Sequence, residues 1–80
     1  MTRDAIFAQF GSLLERRGLS SEYQPDTPLD DIGFRSLDFS ELSIRIEEEH
    51  GQDLNFDAAL LRRIETVDDV VGFFEVATAP

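Results

Sequence analysis

Ser36 is the residue best placed to do chemistry in this chain. It opens the amphipathic stretch Ser36 to His50 and follows the acidic, turn-rich segment Asp26-Thr27-Pro28-Leu29-Asp30-Asp31-Ile32-Gly33-Phe34-Arg35. A hydroxyl at a helix N-terminus lies beside free backbone N–H groups and the positive end of the helix dipole, which suit a phosphate-linked group. Gly33, close by, permits a tight approach of the backbone. The competing use of such a serine is structural. Serine is a preferred N-cap, and Ser36-Leu37-Asp38-Phe39 also reads as a plain capping turn.

Two other chemistries fall away on spacing. A serine hydrolase elbow needs Gly-x-Ser-x-Gly, whereas this chain has Gly33-Phe34-Arg35-Ser36-Leu37. His50 is the only histidine. It lies about four turns further along the same helix, roughly 20 Å from Ser36, too far to act as its base. The acidic cluster Asp26, Asp30 and Asp31 resembles a calcium loop only on the surface. Counted from Asp26, Pro28 and Asp31 stand where an EF-hand needs a ligand and a glycine.

The elements that must position Ser36 follow from periodicity and punctuation. Ile6, Phe7, Phe10, Leu13, Leu14 and the stem of Arg17 recur at helical steps, which predicts a helix over Thr2 to Arg17. Thr2 suits its N-cap, Asp4 its first turn, and Gly18 its C-terminal stop. Residues 18–35 form a long connection with no convincing helix of its own, pinned to the core by Leu19, Tyr23, Leu29, Ile32 and Phe34. Connections of that length inside a compact domain are often functional. In the second helix, Phe39, Leu42, Ser43, Ile46 and His50 share one face. Leu37, Glu41, Ile44 and Glu48 share another, so two apolar residues sit on an otherwise acidic outer surface. Gly51 ends this helix. A short helix is expected near Asp57 to Arg62. The last helix starts at Thr66, with Asp68 and Asp69 in its first turn and Val67, Val70, Val71 and Phe74 as its buried stripe. Ala77 to Pro80 is expected to fray. The fold class is all-α, a four-helix bundle of three main helices, one short helix and one long first loop. A single domain over residues 1–80 is expected.

Composition bounds the partners. Seventeen acidic residues against seven basic give a net charge of −10. Such a surface disfavours nucleic acid and anionic membranes and favours basic protein partners. With no cysteine, no disulfide or thiolate metal site braces the chain. The core must come from the apolar 41% of residues, including seven Phe. No stretch has a signal-peptide or transmembrane pattern, so a soluble, cytoplasmic monomer is expected.

The segment Asp26 to Asp38 resembles the attachment-site motif of acyl carrier proteins. In that family an Asp-Ser/Thr-x-Leu turn leads, after a few residues, to Gly-x-Asp-Ser-Leu and then an acidic residue. Here the matching residues are Asp26-Thr27-Pro28-Leu29 and Gly33-Phe34-Arg35-Ser36-Leu37-Asp38. The similarity continues through Glu41-Leu42 and Ile46-Glu47-Glu48-Glu49, and resumes at Thr66-Val67. The resemblance implies that Ser36 receives 4'-phosphopantetheine from coenzyme A through a phosphopantetheinyl transferase. The arm's thiol would then carry acyl groups as thioesters, with no catalysis by the domain itself. It also implies a partner-binding surface of Arg35, Leu37, Asp38, Glu41, Ile44, Glu47 and Glu48. That surface would dock loading, ligase or synthase enzymes through their basic patches. Arg45 interrupts the acidic face.

Arg35 departs from the pattern, since the family places Asp before the serine. The change of two charge units points to a specialised carrier, for polyketide or other secondary metabolism, rather than a housekeeping fatty-acid one. An amino-acyl or aryl carrier for peptide synthesis is the nearest relative reading. An acidic helical adaptor, with Ser36 only as a cap, is the reading from another class. Phe39, Phe56 and Leu60 are expected to line or fill a cavity between the second helix and the short one.

Overall fold

A computed structural model describes residues 1–19, 22–54 and 58–79, with Ala58 and Leu60 described by their backbone alone. Four α-helices occur among these residues: α1 (Arg3–Arg16), α2 (Ser36–His50), α3 (Ala58–Leu61) and α4 (Val67–Ala77). The all-α class expected from periodicity is therefore observed. Asp57 and Phe56 lie outside the described residues, as does the Leu60 side chain.

Caps open α1 and α4, and glycines close α1 and α2. The Thr2 hydroxyl accepts from the Ala5 N–H at 3.1 Å and opens α1. Gly18 and Gly51 follow α1 and α2 with φ of +69° and +82°. That left-handed conformation is costly for a side chain, which is why glycine stands at these stops. Thr66 opens α4 reciprocally: its hydroxyl accepts from Asp69 N–H at 3.2 Å, while Asp69 Oδ2 accepts from Thr66 N–H at 3.1 Å.

The core forms where three apolar stripes meet. Ile6, Phe10, Leu13 and Leu14 of α1 pack with Phe39, Leu42 and Ile46 of α2 and with Val67, Val70, Val71 and Phe74 of α4. Each such side chain contributes about 1.5–3 kcal/mol on burial. Phe7, expected in the α1 stripe, is only partly buried. The Arg3 guanidinium lies 5.2 Å from its ring centroid and also pairs with Asp68 and Glu75 of α4.

The connection between α1 and α2 departs from its expected lack of helix. Leu29–Ile32 form a 3-10 turn ended by Gly33 at φ +74°. Leu29 and Ile32 point into the core, joined by Phe34. The segment is also tied to the start of α4. Leu29 N–H donates to Glu65 O at 2.9 Å, Val67 N–H to Thr27 O at 3.1 Å, and Asp68 N–H to Pro25 O at 2.8 Å. Loop carbonyls thereby satisfy α4 donors that lack helical partners. The same contacts fix the approach to Ser36.

Of the segment expected to fray, Pro80 lies outside the described residues, while Ala77 and Thr78 are bonded to the fold. Ala77 is helical, and Thr78 is buried with its hydroxyl donating to Phe74 O at 2.7 Å. The Met1 amino group reaches Thr78 Oγ1 at 3.2 Å. Thr78 is thereby bonded to the start of the chain. Among the described residues no helix is long and apolar enough to cross a membrane.

The α4 start carries a pH dependence. Asp69 is held below the usual carboxylate range by the Glu65 and Thr66 backbone N–H groups that its carboxylate accepts. A depressed carboxyl contributes stability above its unfolded value, near 3.9, and loses it as pH falls through the lower folded value. In urea unfolding, Asp69→Ala is therefore expected to destabilise at pH 7. The gap to the parent protein should narrow at pH 3.

Candidate functional site

Ser36 is the first residue of α2, not its cap. The N-cap is Arg35, in extended backbone at φ −125° and ψ −178°. Arginine has no side-chain acceptor, so the turn is closed from the other side. The Asp38 carboxylate accepts the Arg35 N–H at Oδ2, 2.9 Å away. This corrects the reading of Ser36 as the capping residue. Its side chain is exposed and, among the described residues, makes no hydrogen bond. The backbone N–H groups of the first α2 turn remain directed toward the same corner.

A groove of about 520 Å³ opens beside that hydroxyl. Leu29, Phe34, Phe39, Leu61 and Ile64 give it apolar walls, while Asp30, Arg35, Ser36, Ser40 and Glu65 supply polar groups. Phe39 thus lines the space, one of the two roles the sequence leaves open for it. Leu61, Ile64 and Ser40 were not anticipated there. Ser40 lies one turn after Ser36, a spacing that placed it on the helix but not on a groove absent from local sequence.

Gly33 sets the entry to this corner. A Cβ at this position would lie 3.2 Å from Leu19 Cδ2, and the backbone is left-handed. Both facts favour glycine, which lets the 3-10 turn close directly before Phe34 and Arg35.

The predicted partner-binding residues divide. Leu37 and Ile44 are 76% and 57% exposed, a rare position for large apolar side chains in this chain. Arg35 is exposed and, among the described residues, pairs with no carboxylate. Glu48 is exposed and Glu47 half-buried. Glu41 lies 3.9 Å from Arg17 Nη1. Asp38 does not belong to this surface. It is 2% exposed, with Oδ1 3.1 Å from Arg17 Nε. Capping and ion pairing draw it inward. Arg17 was expected to lend only its stem to the α1 stripe, yet its head holds the start of α2. Arg45, expected to interrupt the acidic face, turns to α1 and donates to Gln9 Oε1 at 3.4 Å and Ser12 Oγ at 3.3 Å.

Residues 4–74 match the family described as phosphopantetheine attachment site. The chain is also 37% identical over 57 residues to an acyl carrier protein of Solidesulfovibrio magneticus, covering 70% of each chain. This chain belongs to the acyl carrier protein family. As a carrier it bears 4'-phosphopantetheine covalently and is not itself an enzyme. The corner at Ser36 fits such a group. It combines an exposed hydroxyl and an Arg35 cation suited to a phosphodiester, neither of them paired among the described residues, with first-turn N–H groups and an adjoining groove. The thiol that the carrier's own cysteine-free sequence lacks would come from this group.

Proposed function

We propose that this protein is an acyl carrier that takes its phosphopantetheine on Ser36. It holds acyl intermediates as thioesters for fatty-acid-like, polyketide or other secondary-metabolite biosynthesis. The observation that carries the assignment is the Ser36 hydroxyl, exposed at the first residue of α2 and released from capping by Asp38. Arg35, standing where the family has Asp, supports a specialised pathway. A transferase or synthase that reads this carrier meets a cation directly before the serine.

The test is arming. The protein is incubated with coenzyme A, Mg²⁺ and a broad-specificity phosphopantetheinyl transferase, and its intact mass is taken. A single phosphopantetheine increment is expected, and peptide fragmentation should place it on Ser36. An increment on Ser40, which is also exposed beside the groove, would refute the assignment, as would no increment with several transferases.

Docking is assigned to the outer face of α2. Leu37 and Ile44 supply apolar contact, flanked by Arg35, Glu41, Glu47 and Glu48. Exposed charges act mainly on association, and salt screens them with a Debye length of about 10 Å at 0.1 M. The double change Glu47→Lys with Glu48→Lys is expected to lower kcat/KM for arming about tenfold at low salt, with a smaller loss at 0.5 M salt. A rate that ignores both the substitutions and the salt would reject this face.

A further inference from the structure

Asp38 is a buried carboxylate with two separate tasks. Oδ2 accepts the Arg35 N–H at 2.9 Å and so closes the turn immediately before Ser36. Oδ1 accepts no aligned hydrogen bond, and its charge faces Arg17 Nε at 3.1 Å. Among the described residues Arg17 is the only cation paired with Asp38. A carboxylate 2% exposed and deprived of its cation is left as an uncompensated buried charge, which draws it toward water. That movement loosens its hold on the Arg35 N–H.

Arg17 is suited to act at a distance from its own helix. Its backbone is fixed at the C-cap of α1, with N–H donating to Leu13 O at 3.0 Å. Its guanidinium then spans one turn of α2, from Asp38 to Glu41 at 3.9 Å. The end of α1 thereby sets where α2 begins.

We infer that Arg17 is a positioning residue for Ser36, acting through buried Asp38 to hold the first turn of α2 in the geometry that presents the hydroxyl. It touches neither the hydroxyl nor the groove. The inference rests on Ser36 as the attachment point for its kinetic readout, but not for its structural one. Displacing a reacting group by about 1 Å can cost on the order of 10²-fold in rate. Losing Arg17 should therefore slow transfer while leaving docking residues Leu37, Ile44, Glu47 and Glu48 in place.

The experiment compares Arg17→Met, which keeps much of the apolar stem, with Arg17→Lys and with Asp38→Asn, at a temperature well below each melting transition. Arg17→Met is expected to lower kcat for arming about tenfold with KM within about twofold, and to speed exchange of the Arg35 amide hydrogen. Arg17→Lys should recover part of both. In the Asp38→Asn background the amide oxygen still accepts the Arg35 N–H but needs no cation, so adding Arg17→Met should change little. Three results would overturn the inference: unchanged kcat and Arg35 exchange in folded Arg17→Met, equal effects of Arg17→Met in both backgrounds, or slowing confined to KM. If Arg17→Met fails to fold, Arg17→Lys is compared with the parent protein. A partial loss of kcat and partly faster Arg35 exchange are then expected, because lysine keeps the charge but not the guanidinium Nε that faces Asp38, and parent-like values of both overturn the inference. Should the parent protein not be armed on Ser36, the attachment reading fails alone, because amide exchange reads the Arg17–Asp38 link without any arm.

Discussion

Ser36→Ala is expected to abolish arming completely while leaving the melting temperature almost unchanged. The two halves of this result have separate causes. Arming is lost because transfer needs a hydroxyl oxygen, and the neighbouring exposed hydroxyl, Ser40, lies a full turn further on. Stability is kept because Ser36 is not the N-cap. Removing a serine that caps a helix costs about 1 kcal/mol. Here the capping hydrogen bond runs from the Arg35 N–H to Asp38, and Ser36 is an exposed first helical residue. Alanine at such a position should shift stability by no more than about 0.5 kcal/mol. Intact mass after transferase treatment, paired with thermal unfolding by circular dichroism, checks both halves. A fall in melting temperature matching a lost cap would contradict the geometry at Arg35 and Asp38.

Phe10→Ala is expected to have the largest effect on folding. Phe10 is fully buried in α1, and its ring contacts Tyr23 edge-on at 5.3 Å and Phe34 at 5.1 Å between centroids. It therefore joins α1 to both ends of the long connection. Truncating a buried Phe to Ala costs about 3–5 kcal/mol. At 0.05–0.15 kcal/mol per residue, a chain of this size has roughly 4–12 kcal/mol in all. The substitution should remove a quarter or more of that and lower the melting temperature by over ~10 °C. Local consequences reach the site, because Phe34 precedes Arg35 and Ser36 directly. The native fraction should expose the Phe34 segment first, measurable as faster amide exchange there than in α4. A loss under 1 kcal/mol in urea unfolding would show that the ring is not the keystone of this contact.

Much of the framework is legible along the chain. The limits of α2, Ser36 to His50, coincide with the amphipathic stretch and its glycine stop. Thr2 and Thr66 cap where their hydroxyls stand next to apolar runs, and Gly18 and Gly51 terminate. Leu37 and Ile44 read correctly as exposed apolar residues on an acidic face. These features are encoded within one or two turns, where spacing alone decides which side chains meet. The 3-10 turn at Leu29–Ile32 was harder to see. Its four residues are too few to show a period, and tertiary bonds to Glu65 and the burial of Leu29 and Ile32 hold it.

The attachment motif around Ser36, the acidic outer face of α2 and the helix order were determined by the sequence alone. Local propensity and motif chemistry act between neighbours, so they survive without coordinates. Which residue caps α2, which carboxylate leaves the surface and where a groove opens were decided only by the tertiary structure. Asp38 looks like one more acidic surface residue until α1 brings Arg17 against it. Arg45 reads as an interruption of the acidic face until Gln9 and Ser12 lie within its reach. The groove beside Ser36 exists only because the Leu61 to Glu65 segment comes to rest near the 3-10 turn. Charge pairing and cavity shape depend on how helices pack, and that packing joins residues the chain keeps far apart.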